Sequence, residues 1–321
     1  MSAVETVLNA GSTGRIIAAL LEPHARISPK YFYDVRGSAL FEDITRLPEY
    51  YLTRTERAVM ATHGADIARK VGAGRTAIEL GAGSCEKARA LCELIEPARF
   101  IAVDISAEFL HEGVAGLRAA FPALDVRAVA ADLTQEIVLP DIPRAQRLVF
   151  YPGSSIGNFA PPDALNLLVR VRHLLDDDGA LLIGVDLVKD VAVLEAAYND
   201  AANVTAAFNR NILSHINQLI GSDFDLRQWQ HRAFFNAAES RIEMHLEAAA
   251  DTLVRWPGGE RRFARGERIH TEHSHKYRRE DFVALLARAG FPQAEVWTDE
   301  RQWFAVILAR PAQLPDLKEP R

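Results

Sequence analysis

A glycine turn between an apolar run and a helical segment is the first place where residue types suggest chemistry. Thr76–Leu80 is the apolar run, and Gly81 and Gly83 follow it directly. Such a turn lets the backbone approach a ligand, and the N–H groups of the following helix face that ligand. Asp104 lies 23 residues after Gly81, at the end of the next apolar run, where a carboxylate can accept both hydroxyls of a ribose. The pattern predicts a nucleoside-binding site.

A second aspartate, Asp132, follows the third apolar run. Ligands of open α/β sheets bind beyond the carboxyl ends of the strands, so we expect Gly81, Asp104 and Asp132 to lie at one edge of a sheet. The competing interpretation is purely structural. In it, the glycines only make a tight turn and the aspartates cap helices.

The residues after the turn favour one kind of nucleoside. A dinucleotide fold usually has a third small residue where this chain has Glu86, and a carboxylate there disfavours a pyrophosphate. S-adenosylmethionine carries no phosphate but has a sulfonium, a carboxylate and an amine, which suit an acidic rim with one lysine, Lys87. We therefore expect S-adenosylmethionine rather than NAD. An NAD-dependent oxidoreductase and a non-catalytic nucleoside-binding protein remain alternatives from other classes.

The elements that position these residues follow an alternating pattern. Continuous apolar runs, typical of parallel strands buried on both faces, alternate with helical segments such as the one whose stripe is Ala88, Leu91, Cys92 and Ile95. The predicted parallel strands are 76–80, 100–103, 126–131, 147–151 and 180–185. A helix at Phe282–Ala289 precedes strands at Ala294–Trp297 and Trp303–Ala309, which a short turn must make antiparallel. The prediction is an α/β, doubly wound (Rossmann-like) sheet that resembles that of class I methyltransferases.

The segment between Val188 and Tyr277 does not follow this rhythm. Val191–Ile220 is predicted as one helical stretch. Three antiparallel strands are predicted after it, at Trp229–Asn236, around the alternating Ile242, Met244 and Leu246, and at Ile269–Tyr277. Thr53–Glu56 has the pattern of a capping box that opens a long helix. We therefore predict a nucleoside-binding domain at 56–190 and 278–321, and a second α+β, substrate-binding domain at 1–55 and 191–277.

Composition excludes several classes of protein. The chain has 321 residues, of which 49% are hydrophobic and 25% charged, so it can build a core and is not a disordered or fibrous chain. A net charge of −6 argues against a nucleic-acid partner. Two cysteines, Cys85 and Cys92, provide no disulfide framework, and no apolar run or leader pattern indicates a membrane or secretion. We expect a soluble, cytoplasmic monomer that acts on a small molecule.

Seven segments spread along the chain carry a more specific signal. They are PKYFYDVRGSALFEDITRLPEYYLTRTE, ELGAGSCEK, GSSIGN, DLVKD, AYNDAANVTAAFNRN, RIEMHLEA and IHTEHSHKY. Together, over about residues 15–310, they resemble the histidine-specific N-alpha-methyltransferases of ergothioneine biosynthesis. The resemblance implies the stepwise transfer of three methyl groups from S-adenosylmethionine to the alpha-amine of L-histidine, which gives hercynine.

The resemblance also implies roles for individual residues. The methyl donor would be held by Gly81, Lys87, Asp104 and Asp132, with Leu133 beside the adenine. The amine and carboxylate of the amino acid would be held by Tyr50, Asn158 and Tyr198. Its imidazole would be bound by Glu272 and Ser274 and packed by Met244, and Tyr33 would act near the amine as the catalytic residue. The chain departs from the family pattern at Leu133, which replaces an aromatic residue, and at Cys85, which replaces a hydroxyl residue.

Several of these residues have plainer interpretations. Glu272 and Ser274 are two apart in a predicted strand, so both side chains share a face and can pair with both imidazole nitrogens, but an exposed edge strand has the same pattern. The tyrosines and Met244 can be ordinary packing residues. We read Cys85 as small filler, although a helix N-terminus can depress a thiol pKa.

Two further alternatives concern a metal ion and the substrate. The histidines at 270, 273 and 275 show no tetrahedral ligand set, so we expect no metal. The closest alternative function is a S-adenosylmethionine-dependent N-methyltransferase that acts on another aromatic amino acid or amine.

Overall fold

The polypeptide forms two structural units, one of which interrupts the other along the chain. The structure, a computed structural model, describes residues 13–139 and 141–312. The three-stranded unit comprises the chain up to Tyr51 and Asp190–Ser274, and the seven-stranded unit comprises Leu52–Lys189 and the chain from His275. These divisions fall close to the domain boundaries predicted from sequence at 55/56, 190/191 and 277/278. That the units are separate domains stays a prediction.

Helices and strands alternate through most of the described chain. The helices are 13–21 (α1), Val35–Thr45 (α2), Tyr51–Val71 (α3), Glu86–Ile95 (α4), Ala107–Ala120 (α5), Pro161–Leu174 (α6), Val191–Ala196 (α7), Val204–Ile220 (α8) and Arg279–Arg288 (α9). The strands are Thr76–Leu80 (β1), Arg99–Asp104 (β2), Asp125–Ala130 (β3), Arg147–Tyr151 (β4), Ala180–Asp186 (β5), Trp229–Asn236 (β6), Arg241–Ala248 (β7), Thr252–Trp256 (β8), Gly259–Phe263 (β9), Arg268–His275 (β10), Gln293–Thr298 (β11) and Phe304–Arg310 (β12). Short 3-10 helices lie at Pro29–Phe32, Ser155–Asn158 and Leu226–Gln228.

The larger sheet has the order β11-β12-β5-β4-β1-β2-β3. Strands β1 to β5 pair in parallel, and β12 lies antiparallel between β5 and β11. Every residue of β4 and β5 is buried, as expected of strands covered on both faces. One face packs against α6 and α9, and the other against α3, α4 and α5. The predicted doubly wound, class I methyltransferase-like sheet with a C-terminal hairpin is confirmed.

Helix α4 shows why the sequence folds this way next to the glycine turn. Its predicted stripe of Ala88, Leu91, Cys92 and Ile95 is the set of its residues that the structure buries. Burial of an aliphatic side chain contributes about 1.5–3 kcal/mol, so this stripe fixes the helix on the sheet. The N-terminus of α4 is thereby held at the carboxyl end of β1.

The three-stranded unit contains the antiparallel sheet β10-β7-β6, with Ala233 opposite Met244 in the β6–β7 pair. Helix α8 packs against this sheet. The three strands agree with prediction, but the hairpin of β8 and β9, which turns at Gly258 with φ 88°, was not predicted. In the described ranges, no helix combines the length and the apolar character that crossing a membrane requires.

Two local predictions were wrong. Val191–Ile220 is two helices, because Asn203 adopts a left-handed conformation (φ 59°) and the Asp200 carboxylate accepts hydrogen bonds from the Val204 and Thr205 N–H groups at the start of α8. The Thr53–Glu56 capping box is not a cap, since α3 already begins at Tyr51. Glu56 lies inside the helix, and its carboxylate contacts groups outside α3.

Candidate active site

The glycine turn after β1 is held against the end of β2. The Gly81 and Ala82 N–H groups both donate to the Val103 carbonyl, at 2.8 and 3.1 Å. Gly81 has φ 69°, and a Cβ built on it meets no atom within 4 Å, so the turn faces open space. The structure therefore has room for a ligand where the sequence predicts one.

Asp104 is joined to this turn by its side chain. Its Oδ2 accepts from the Gly83 N–H at 3.0 Å and its Oδ1 from the Ser106 N–H at 2.9 Å. The carboxylate thus ties the turn to Ser106, the N-cap residue of α5, which is a structural role although Asp104 is not itself the cap. A ribose ligand would share an acceptor that the backbone already uses.

Asp132 and Leu133 follow β3 beside the Asp104 backbone, because the Ala131 N–H donates to the Asp104 carbonyl at 2.9 Å. Asp132 Oδ1 accepts from the Thr134 N–H and hydroxyl, at 2.9 and 2.6 Å. Leu133 is partly buried and packs against the apolar core of the sheet. The structure therefore brings Gly81, Asp104 and Asp132 to one sheet edge, as predicted.

Lys87, in the first turn of α4, lies among acidic groups. Its Nζ donates to Glu56 Oε2 at 2.6 Å. Burial raises the pKa of Glu79, at the end of β1, well above its usual value, and the nearby Lys87 charge only partly offsets this. Burial therefore favours the neutral form of the Glu79 carboxyl. Sequence reasoning missed Glu56 and Glu79, although an acidic residue inside the apolar run Thr76–Leu80 was a visible signal.

Cys85 precedes α4 in a left-handed conformation, with φ 59°. Burial is the main cause that raises the pKa of its thiol to about 12, and the nearby Glu79 and Asp104 side chains raise it further by smaller amounts. The suggestion that the helix N-terminus depresses this pKa is therefore wrong, because desolvation outweighs the helix dipole. The interpretation of Cys85 as small filler agrees with its burial.

Asn158 ends the short helix Ser155–Asn158 that follows β4. The turn before it is fixed at two consecutive residues. The Gly153 N–H donates to Glu56 Oε1 at 2.8 Å, and Ser154 Oγ accepts from the Asp186 N–H at 2.8 Å. Because β4 pairs in parallel with β1, Asn158 lies at the same sheet edge as the glycine turn.

In the three-stranded unit, the predicted tyrosines belong to one aromatic cluster. The Tyr33 ring lies 5.9 Å from Phe41 and 6.0 Å from Phe208, and the Tyr50 ring lies 6.3 Å from Phe41 and 6.4 Å from Tyr198. These edge-on contacts position three phenol side chains. Tyr33, Tyr50 and Tyr198 are thus brought together.

A buried hydrogen-bond chain leads from this cluster to β10. His231 Nε2 donates to the Tyr198 carbonyl at 2.9 Å, and its Nδ1 accepts from Asn209 Nδ2 at 2.9 Å. Asn209 Oδ1 accepts from the Thr271 hydroxyl at 2.7 Å. Burial lowers the pKa of His231, which favours the neutral ring that this donor–acceptor pattern requires. Sequence reasoning missed all three linking residues, since polar residues on a helix and two strands share no spacing.

Met244, Glu272 and Ser274 lie on the neighbouring strands β7 and β10. They are 2%, 7% and 3% exposed, respectively. The alternative of a solvent-exposed edge strand is therefore wrong for Glu272 and Ser274. A buried carboxylate and a buried hydroxyl in one strand are suited to a polar ring that carries two nitrogens.

One cluster of metal-ligand residue types lies in the same sheet. Potential ligand atoms of Glu243, His245 and His270 lie within 4.8 Å of one another. Although burial opposes it, hydrogen bonds from Asn236, Arg241 and His245 lower the pKa of Glu243 to about 2. The carboxylate is already engaged by these donors, and the guanidinium of Arg241 would repel a divalent cation. The geometry favours a hydrogen-bonded network, and the expectation of no metal stays a prediction.

Comparisons with known proteins identify the family. Residues 12–311 match the family model described as histidine-specific methyltransferase, SAM-dependent. The chain is 42% identical over 299 residues to a histidine N-alpha-methyltransferase of Mycolicibacterium smegmatis, which spans 91% of this chain and 92% of the relative. A protein of the same name from Mycobacterium tuberculosis is 38% identical, over 92% of this chain and 93% of the relative.

A solved structure shares the fold. The PH0226 protein of Pyrococcus horikoshii OT3 superposes with a TM-score of 0.50 at 13% identity, covering 87% of this chain and all of that one. That likeness concerns the fold alone, whereas the family model extends over both units described above. The chain belongs to the S-adenosylmethionine-dependent, histidine-specific methyltransferase family.

Proposed function

We propose that the protein transfers methyl groups from S-adenosylmethionine to the alpha-amino group of L-histidine. Three successive transfers give hercynine, and this trimethylation is the first step of ergothioneine biosynthesis. The observation that carries this proposal is the family match over residues 12–311. That range includes both the glycine turn with Asp104 and the buried Glu272 and Ser274 of the three-stranded unit.

The residues at the sheet edge suit the donor. Bound there, S-adenosylmethionine supplies a methyl group on a sulfonium cation. The open space at Gly81 admits backbone contact, and the Lys87 ammonium would pair with the donor carboxylate. Asp104 would accept from the ribose hydroxyls, Asp132 would hold the adenosine, and Leu133 would pack beside the adenine.

The residues of the three-stranded unit suit the amino acid. Glu272 and Ser274 would hydrogen-bond the two imidazole nitrogens, with Met244 packed against the ring. By the family resemblance, Tyr50, Tyr198 and Asn158 would hold the amine and the carboxylate. A carboxylate and a hydroxyl that hydrogen-bond the imidazole discriminate against phenylalanine, because its ring offers neither a donor nor an acceptor to them.

Methyl transfer depends more on the alignment of the amine with the methyl group than on a strong acid or base. In each transfer the amine lone pair forms a bond to the methyl carbon, and the carbon–sulfur bond electrons leave on sulfur as a neutral thioether. The positive charge moves from sulfur to nitrogen, so correct positioning supplies most of the advantage, about 7–11 kcal/mol of the barrier. The amine loses a proton before each transfer, and this proton would leave to solvent through the Tyr33 hydroxyl and water. The aromatic faces of Tyr33 and Tyr198 would stabilise the cation by about 0.5–2 kcal/mol.

One assay tests the function. The protein is incubated with L-histidine and S-adenosylmethionine, and the products are followed by mass spectrometry for one, two and three added methyl groups. Tryptophan, tyrosine and phenylalanine in parallel reactions test the alternative of another aromatic substrate. Methylation of one of these in preference to histidine, or no methylation at all, would contradict the proposal.

A further inference from the structure

Glu56 is a buried carboxylate that joins two segments of the seven-stranded unit. It is 5% exposed and lies in α3. Its Oε2 accepts from Lys87 Nζ at 2.6 Å, and its Oε1 accepts from the Gly153 N–H at 2.8 Å. One side chain therefore connects the first turn of α4 to the turn after β4.

Two glycines are fitted around this contact. A Cβ on Gly184, in the middle of β5, would lie 2.2 Å from Glu56 Oε1, which is too close for any real side chain. A Cβ on Gly153, which has φ 77°, would lie 2.8 Å from Lys87 Nζ. Strand β5 and the turn after β4 thus leave room for one carboxylate and its ammonium partner.

The turn that Glu56 holds leads directly to Asn158. Gly153 is tied to Glu56, and Ser154, with φ 61°, is tied to the Asp186 N–H. The helix Ser155–Asn158 follows at once. The position of the Asn158 amide therefore depends on where Gly153 is held.

We infer that Glu56 is a positioning residue for methyl transfer, which fixes the spacing between Lys87 and the turn that carries Asn158. The inference rests on the proposed function, in which Lys87 binds the donor carboxylate and Asn158 the amino acid. Glu56 acts through these two residues and touches neither ligand. Because in-line transfer depends on alignment, a displacement of about 1 Å costs about 100-fold in rate.

The chemistry of the contact shows which substitutions separate the two roles. Lys87 Nζ and the Gly153 N–H are both donors, and each uses a different oxygen of the Glu56 carboxylate. Glutamine has one oxygen and one NH2 group, and it can keep one contact at the expense of the other. Alanine removes both contacts and frees a long, flexible lysine side chain.

The first experiment compares Glu56→Gln and Glu56→Ala with Glu93→Gln, an exposed carboxylate on α4 that pairs with Arg89. Calorimetry with S-adenosylhomocysteine alone gives the donor-site dissociation constant, and steady-state kinetics give kcat and the KM for histidine. We expect Glu56→Ala to weaken S-adenosylhomocysteine about 10-fold and to lower kcat/KM for histidine about 100-fold. Glu56→Gln should lie between this and the wild type, and Glu93→Gln should stay within about twofold of the wild type.

The second experiment moves the carboxylate without removing its charge. Gly184→Ala places a methyl group where Glu56 Oε1 lies, so in the wild-type background it should reproduce the kinetic loss of Glu56→Ala. In the Glu56→Ala background the same methyl group no longer meets a carboxylate and crowds only the Phe304 ring, whose Cε1 and Cζ lie 3.0 Å away, so the further loss should be clearly smaller than in the wild-type background. A double-mutant cycle measures this coupling.

The outcomes separate the inference from the proposed function. A wild-type protein that binds no S-adenosylhomocysteine would overturn the donor site itself. A wild-type protein that binds it, with Glu56→Gln and Glu56→Ala indistinguishable from Glu93→Gln, would overturn only the role of Glu56. Equal losses from Gly184→Ala in both backgrounds would also overturn it. If circular dichroism shows Glu56→Ala unfolded, Glu56→Gln and Gly184→Ala in the wild-type background decide the question.

Discussion

The buried histidine His270 predicts a specific loss of stability in mild acid. Burial, followed by the electrostatic effect of His245, lowers its pKa from 6.5 to about 4. In the unfolded chain the ring takes up a proton below about pH 6.5, whereas the folded protein resists protonation until about pH 4. The free energy of unfolding therefore falls as the pH drops through this window, by about 1.4 kcal/mol per pH unit. Between about pH 7 and pH 5, His270 alone removes about 2 kcal/mol.

The assay is urea unfolding followed by circular dichroism at these two pH values. His270→Gln removes the titrating ring, so the pH-dependent loss should shrink by about 2 kcal/mol. His24→Gln, at an exposed histidine of the same unit, serves as the matched control and should keep the wild-type difference. Glu243 does not interfere, because its pKa of about 2 places its own stability loss below about pH 4.5. A His270→Gln protein that loses as much stability as the wild type would refute the reasoning.

Three further predictions concern the site and its support. Glu272→Ala should lower kcat/KM for histidine by about 100-fold or more, while the dissociation constant of S-adenosylhomocysteine stays unchanged; equal losses of both would contradict the assignment. Tyr33→Phe should let mono- and dimethylated histidine accumulate in a mass-spectrometric time course, and full trimethylation with unchanged intermediates would remove Tyr33 from the mechanism. Asn209→Ala should lower the free energy of unfolding by about 3 kcal/mol, because it removes buried hydrogen bonds to His231, to the His245 carbonyl and to Thr271, and a urea titration that shows less than about 1 kcal/mol would count against that network.

The strands and helices of the large sheet could be predicted because a short, continuous stretch of sequence determines each of them. Continuous apolar runs such as Ala180–Asp186 predict a strand buried on both faces. The apolar stripe of α4 predicts a helix that packs on the sheet. The break between α7 and α8 was not predictable in this way. It depends on a left-handed Asn203 and on capping by Asp200, inside a segment whose apolar periodicity continues across it.

Those residues of the candidate site that lie in family motifs could be predicted from the sequence. The family segments named Tyr33, Tyr50 and Tyr198, and the structure brings their rings into one cluster. The residues that support the site could not be predicted, because their hydrogen-bond partners are far away in the sequence. Glu56 meets Lys87 and Gly153 only after the sheet has assembled, so its sequence context suggested a helix cap instead.

The placement of β12 has a consequence for how the chain is synthesised. This strand completes the large sheet by inserting between β5 and β11, yet the ribosome makes it only after the whole of Asp190–Ser274 has emerged. Until then, the apolar edge of β5 has no antiparallel neighbour, and an unprotected edge of this kind invites pairing with other chains. We expect a nascent chain arrested before Phe304 to depend on chaperones and to aggregate when released, whereas release after Arg310 should yield a protein that stays dispersed.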